Sequence, residues 1–317
     1  MRTAIVATVR NEASRIGEFL ASLEAQTRKP DAIVVTDGGS TDGTQQALSD
    51  FAARTAIPFR WAAVPGNRSR GRNEAIRIAE ADLIAVTDVS VVDPVWFERI
   101  IEPLERGEAD VVAGWYQLLV DTPRERAVGL LTQWSLSQVR PETFLPSSRS
   151  VAFTRAAWER VGGYPEDLAT TEDTVFDLRL REAGLRFVFE PRAVVRWRPA
   201  TTVRSTYTMY RQFAVSDGEA RLFLFSQSRY GLLYLVYGGA LVLLVLGLLW
   251  PVLFAYVVVA LVLGGVAYLG YRIGKVIGAR LWRQIPYAIG VALAMDISRL
   301  AGYARGRLRR RRGPARP

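Results

Sequence analysis

Val34-Val35-Thr36-Asp37-Gly38-Gly39-Ser40-Thr41-Asp42-Gly43-Thr44 is the stretch on which the reading of this chain turns. A short apolar run ends at an acid, dense turn chemistry follows, and apolar residues then resume at helical spacing. The glycines allow close backbone approach to a ligand, and an acid at a strand's end accepts hydrogen bonds from ribose or base. Ser40 or Thr41 also suits a helix cap, with Asp42 in the first turn. No Gly-Lys-Ser/Thr follows, and no Gly-x-Gly-x-x-Gly is present, so neither common phosphate-loop signature applies.

The pattern repeats on both sides of this loop. Thr3–Val9 reads as a buried parallel strand, and Ile16, Phe19, Leu20 and Leu23 fall on one helical face. Ala32–Thr36 is the next strand, followed by a helix to about Arg54, strand Phe59–Ala63, helix Arg70–Glu80 and strand Leu83–Thr87. Pro94 opens a helix carrying Phe97, Ile100, Ile101 and Leu104, and Val111–Trp115 closes the series. Such alternation predicts an α/β fold with a mostly parallel, doubly wound sheet. Ligands of these sheets bind beyond the carboxyl ends of the strands. Three polar clusters fall there: Thr8-Val9-Arg10-Asn11-Glu12, the Asp37–Thr44 loop, and Thr87-Asp88.

The 317 residues divide by composition. Between Arg229 and Arg272 there is no Asp, Glu, Lys or Arg, a stretch too long for a core helix. The net charge of +10 sits at the end of the chain, where 12 Lys/Arg face one acid, Asp296, from Arg272 onward. The remainder holds 29 basic and 30 acidic residues, which argues against nucleic acid as a partner. The run Arg309-Arg310-Arg311-Arg312 suits anionic lipid headgroups. With neither Cys nor His, disulfides, thiolate catalysis and Cys/His zinc sites are excluded, and a general base has to be a carboxylate, or less readily Lys or Tyr. The apolar run Ala4–Val9 stops at Arg10-Asn11-Glu12 and is too short for a signal peptide, so the globular part is expected to stay cytoplasmic.

Thr8–Glu12, the Asp37–Thr44 loop, Gly71-Arg72-Asn73-Glu74-Ala75 and Thr87-Asp88, in that order, resemble the family 2 glycosyltransferases of the GT-A fold. The resemblance runs from about Thr3 to Arg198. It implies a nucleotide-sugar donor, with Thr8, Arg10, Asn11, Glu12, Asp37, Gly38, Gly39 and Ser40 around the nucleoside and Arg70, Arg72 and Asn73 near the diphosphate. Thr171-Glu172-Asp173 looks like the family's Glu-Asp motif, which implies Asp173 as general base and Glu172 as its support; by composition alone it equally reads as an acidic helix start. One base and one displacement give inversion. Pro146–Phe153 lies between these motifs and reads either as a loop entering a strand or as the acceptor side, with Ser147, Ser148 or Arg149 near the sugar; Trp115, Trp197 and Arg198 either frame the acceptor or, as is more often so for the large aromatics, serve packing.

The chain departs from the family at the metal-binding Asp-x-Asp, reading Asp88-Val89-Ser90 instead. A hydroxyl in place of a carboxylate weakens a Mg²⁺ or Mn²⁺ site. Either Asp88 and Ser90 position metal or ribose, or Arg68, Arg70 and Arg72 neutralise the leaving diphosphate without metal; an inactive, nucleotide-sugar-binding relative is the third reading. The Gln-x-x-Arg-Trp of processive synthases is absent: Ala193 replaces the Gln before Arg196-Trp197, and Gln212 leads into Phe213-Ala214-Val215-Ser216. Transfer of a single sugar is expected rather than polymerisation.

Residues 1–225 are therefore expected to form a cytoplasmic catalytic domain, 226–304 a membrane region and 305–317 a basic tail. Gly231–Leu249 and Val252–Tyr271 are each long enough to span a bilayer, and Trp250-Pro251 between them predicts a hairpin. Arg272, Lys275, Arg280 and Arg283 place both hairpin ends inside, as in a multi-pass protein of the inner membrane. Residues 285–303, interrupted by Asp296 and Arg299, are expected to be interfacial or re-entrant rather than a third span. The hairpin points to a lipid or polyprenyl-linked acceptor.

Overall fold

The computed structural model describes residues 1–133, 135–198, 202–222 and 230–311. Along the chain run β1 (Thr3–Val9), α1 (Ile16–Glu24), β2 (Ala32–Asp37), α2 (Thr44–Arg54), β3 (Phe59–Ala63), α3 (Arg68–Ala79), β4 (Leu83–Thr87), β5 (Val91–Val92), α4 (Trp96–Glu105) and β6 (Val111–Leu118). There follow α5 (Pro123–Thr132), β7 (Val151–Thr154), α6 (Arg155–Arg160), α7 (Glu172–Glu182), β8 (Phe187–Trp197), α8 (Val203–Glu219), α9 (Tyr230–Leu249), α10 (Pro251–Gly278) and α11 (Ile285–Arg311). They form two compact units: Met1–Leu119 with Trp134–Arg198, and Val120–Gln133 with Pro199–Pro317.

The first unit is one eight-stranded sheet in the order β3-β2-β1-β4-β7-β6-β8-β5. Pairs β1·β2, β1·β4 and β2·β3 are parallel, as the strand-helix alternation predicts. Side chains alternate across a strand, so a strand buried on both faces feeds two cores. In β1, Ile5, Ala7 and Val9 join Ile16, Phe19 and Leu20 on one face, while Ala4 and Val6 join Ala75, Ile76 and Ala79 on the other. Beyond β4 the sheet is mixed. β7 lies antiparallel between β4 and β6, β8 pairs parallel with β6, and β5 pairs antiparallel with β8. The series thus does not close at Trp115, because β6 continues to Leu118 and two later strands join it.

The second unit is helical. Thr122 caps α5 through a reciprocal pair with Glu125, with Pro123 at the first position. Helices α8 and α11 pack closely: a Cβ on Gly306 would lie 2.0 Å from the Val215 carbonyl oxygen, so only glycine fits there. Helix α8, expected with the sheet domain, belongs with this unit for that reason; the expected boundary at 225 falls outside the described residues. Three helical stretches, Tyr230–Leu249, Phe254–Gly278 and Trp282–Arg309, are long and apolar enough to cross a membrane. The second runs seven residues past the expected Tyr271, and the third, expected as a helix over 285–303, continues to Arg311. Within it the Asp296 carboxylate is buried, accepting hydrogen bonds from Tyr237 and Tyr268 and pairing with Arg272. The basic tail expected from 305 is helical to Arg311, and residues 312–317 lie outside the described residues.

Candidate active site

Parallel register brings the polar clusters to one edge. Val9 lies opposite Asp37 and Ala7 opposite Thr87, so Arg10-Asn11-Glu12, the Gly38–Gly43 loop and Asp88 leave the sheet together. The first two clusters lock each other. The Asn11 amide N–H donates to Ser40 Oγ at 2.7 Å, Thr41 N–H to Asn11 Oδ1 at 2.9 Å, and Glu12 N–H to Thr44 Oγ1 at 2.8 Å. Asn11 sits at φ 55°, a left-handed conformation Asn tolerates. Asp37 is fully buried and accepts from Gly39 N–H, Ser40 N–H and Oγ, and Gln45 Nε2. Burial alone would raise its pKa; those hydrogen bonds override it and hold the carboxyl below the usual range. Asp37 therefore shapes the loop, leaving Arg10 and Asn11 exposed and Gly38, Gly39 and Ser40 partly exposed.

Helix α3 starts at the same edge. Asn67, in extended conformation, accepts from Arg70 N–H at 3.0 Å and caps it. Arg68 and Arg70 are exposed on its first turn, where free N–H groups and the helix dipole favour anions. Gly71 faces the sheet: a Cβ there would stand 2.2 Å from Thr8 Oγ1. Thr8 thereby helps seat the helix, and Thr36 Oγ1 donates to the Gly71 carbonyl at 2.9 Å.

Arg72 and Asn73, expected near the diphosphate, are buried. Arg72 is 4% exposed, pairs with Glu172 at 2.5 Å and stacks over Tyr164 at 5.3 Å. Asn73, 3% exposed, donates to the Tyr164 carbonyl and Glu166 and accepts from Trp158 Nε1 and Tyr164 N–H. Arg72 thus ties α3 to the start of α7. Glu172 is held below the usual carboxylate range: burial opposes ionisation, but Arg72 outweighs it by charge and hydrogen bond. Asp173, next along, moves the other way. Burial and then the Glu172 charge raise its pKa, while its Oδ1 accepts from Thr174 N–H at 2.8 Å.

Asp88 is partly exposed at the end of β4. Ser90 Oγ donates to its Oδ1, and Arg149 Nε stands 3.1 Å from its Oδ2. Arg149 also donates from Nη1 to Ser147 Oγ at 3.1 Å, and its guanidinium lies over Trp197 at 4.3 Å and Tyr116 at 6.0 Å. Ser148 is buried, donating to Tyr164 Oη at 3.0 Å, and Arg198 Nη2 stands 4.0 Å from Glu18. Ser147, Arg149 and Trp197 therefore form one group; Ser148 and Arg198 face elsewhere. Trp115, 5% exposed among Tyr116, Phe144 and Phe189, is a packing residue. Among the described residues no three acids converge as a metal cage. The residues at Asp88-Val89-Ser90 do not fit a divalent ion, because both oxygens of the single carboxylate are engaged.

Sequence reasoning passed over Tyr116, Tyr164 and Asp177. Asp177 is 2% exposed with Oδ2 lacking a hydrogen-bond partner, and burial and then Asp173 push its pKa well up. Its place four residues after Asp173, on the same helix face, was the available signal.

A sheet whose carboxyl edge gathers a glycine-rich polar loop, exposed arginines at a helix start and a buried acidic pair at the start of α7 has the arrangement of a GT-A transferase. Family models agree: "Glycosyl transferase family 2" matches residues 4–153 and "Glycosyl transferase family group 2" matches residues 88–269, more than half the chain. The chain belongs to the family 2 glycosyltransferases. It is 26% identical over 316 residues to the succinoglycan biosynthesis protein ExoA of Rhizobium meliloti (strain 1021), covering 95% of this chain and 93% of that protein. The O-antigen chain rhamnosyltransferase WbaN of Salmonella anatum is 23% identical over 66% of this chain and 69% of its own. Among solved structures, the mannosyltransferase PcManGT from Pyrobaculum calidifontis, in complex with GDP-Man and Mn²⁺, superposes with a TM-score of 0.58 at 19% identity, over 97% of this chain and 87% of that one. S. aureus TarS 1-349, in complex with UDP, gives 0.53 at 16% identity, over 100% and 93%. Both confirm the GT-A fold.

Proposed function

We propose that this glycosyltransferase moves one sugar, with inversion, from a nucleotide-sugar donor to a hydroxyl of a membrane-held acceptor, a lipid or a polyprenyl-linked glycan. The observation that carries the reading is Asp173: a carboxyl of raised proton affinity beside the Arg72–Glu172 pair, on the helix that starts at the site. As the acceptor oxygen bonds to the anomeric carbon, its proton passes to Asp173. The bond from that carbon to the β-phosphate oxygen breaks, and its electron pair leaves with the nucleoside diphosphate. Arg10, Asn11, Glu12 and the Gly38–Ser40 loop hold the nucleoside, with Arg68, Arg70 and the start of α3 near the phosphates. Glu172 holds Asp173 in place through Arg72.

The donor class is supported by GDP-Man and UDP in the structural neighbours. The acceptor class is supported by the relatives' names, both of them for polysaccharide assembly, and by the apolar helices. Helices α9 and α10 are read as a membrane hairpin with both ends cytoplasmic, and the arginine-rich tail as a contact with anionic lipid.

The test is nucleoside-diphosphate release from UDP-, GDP- and dTDP-sugars by detergent-solubilised protein with membrane lipid extract, beside Asp173→Asn. Release that vanishes in the variant and requires the extract supports the reading. A donor that is bound but never turned over, with any extract, would refute it in favour of a binding protein.

A further inference from the structure

The charge that a divalent ion supplies in such a site has to come from elsewhere in this chain. A nucleoside diphosphate leaves as an anion, and departure is fast only where fixed positive charge or hydrogen-bond donors meet the developing charge. The carboxylate at the end of β4 is the place from which a metal would be held. There Asp88 Oδ1 accepts from Ser90, and Oδ2 faces Arg149 Nε at 3.1 Å. Arg72, the buried alternative, is spent on Glu172.

Arg149 is held from three sides. The Asp88 carboxylate pairs with it by charge, Oδ2 standing 3.1 Å from Nε, Ser147 accepts from Nη1, and the ring of Trp197 supports the guanidinium face. Nε makes no hydrogen bond despite its charged neighbour, and Nη2 has no hydrogen-bond partner among the described residues, so the outer nitrogen of the fork is left for a ligand. The electrostatic field of Arg149 also reaches Asp173 and lowers its proton affinity against the burial that raises it. One cation therefore acts on both the donor-side acid and the base.

We propose that Arg149 replaces the divalent ion: its guanidinium, seated on Asp88 and Trp197, binds the β-phosphate of the donor and stabilises the leaving diphosphate, so that transfer proceeds without metal. The inference rests on the glycosyltransfer reading given above. It assigns Arg149, expected on the acceptor side, to the leaving group. When the bond from the anomeric carbon to the β-phosphate oxygen breaks, the electron pair stays on that oxygen and Nη2–H bonds to it. Arg149 remains protonated throughout, and the acceptor proton still goes to Asp173.

The experiment uses the full chain in detergent and has two readouts, calorimetric binding of UDP, GDP and dTDP and the rate of diphosphate release, each in EDTA and in Mn²⁺. The wild type is expected to bind and turn over equally in both buffers, within about twofold. Arg149→Ala should lose about 10²–10³ in kcat, the scale set by removing one preorganised donor, and Mn²⁺ should not restore it. Arg149→Lys keeps the charge without the fork and should fall between. The double variant Ser90→Asp/Arg149→Ala frees Asp88 and adds the second carboxylate. It should recover release in Mn²⁺ and lose it in EDTA, which a misfolded protein could not do. Wild-type binding or release that collapses in EDTA and returns with Mn²⁺ overturns the proposal while leaving the transferase reading intact. Wild-type kcat in Arg149→Ala overturns it as well. Failure to bind any nucleoside diphosphate in either buffer overturns both.

Discussion

A carboxylate that removes a proton from a sugar hydroxyl works best when its own proton affinity approaches the working pH. Glu172 and Asp173, adjacent in the chain, are driven apart in that respect: Arg72 keeps the first ionised, while burial and the neighbouring charge raise the second. The sign for activity follows. A raised Asp173 is protonated and idle at low pH, so kcat/KM should climb as pH rises through a value above the ordinary carboxylate range of about 4, and a pH–rate profile reads it directly. Asp173→Asn should lower kcat by about 10²–10⁴ with nucleoside-diphosphate affinity unchanged; loss of affinity instead would make Asp173 a donor ligand. The sequence brings Asp173, Glu172 and the Asp37 loop forward as candidates because their spacing is local. It left the partners of Arg72 hidden, since Glu172 is a hundred residues away and nothing in Gly71-Arg72-Asn73 distinguishes an inward from an outward arginine.

Between elements, the same buried pair fastens α3 to α7. Removing one member of a buried ion pair leaves an uncompensated charge, whereas removing both leaves apolar contact. Glu172→Gln should therefore cost about 3–5 kcal/mol, and Arg72→Met/Glu172→Leu clearly less, in thermal melts of the solubilised protein. The pH dependence has a definite direction. Glu172 has a depressed pKa, so its stabilisation is present above the unfolded carboxylate value and is lost as pH falls through the folded one. Gly71→Ala tests the other attachment of α3, because its Cβ would collide with Thr8 Oγ1; overpacking of this kind costs about 1–3 kcal/mol. The parallel half of the sheet was readable from period and turn chemistry. The far half was not: β5 is two residues long and β8 passes a register break, so neither offers a clean alternation.

For the whole molecule the decisive question is how many of the three apolar helices cross the bilayer. Length and composition admit all of them, yet their surroundings differ: 44% of the third apolar window is buried within the protein, against 11% and 0% for the first two. Its cover includes α8, which carries Arg204, Arg211, Asp217 and Glu219 and packs along it from Gly290 to Gly306. Carrying α8 into the hydrocarbon would cost about 2.5–3.5 kcal/mol for each such charge near the centre. The pair α8–α11 is therefore expected at the interface, with α9 and α10 alone crossing. Arg309, which reaches Glu219 at 3.5 Å, then stays on the side that carries Arg272, Lys275, Arg280 and Arg283. The chain contains no cysteine, so single-cysteine variants report without background. Trp250→Cys, between the two spans, should react with an impermeant maleimide added outside intact cells. Ala315→Cys should react only after the membrane is permeabilised. Labelling of Ala315→Cys from outside would make α11 a third span, carry the arginine run across the bilayer and remove the basis for an anionic-lipid contact on the cytoplasmic face.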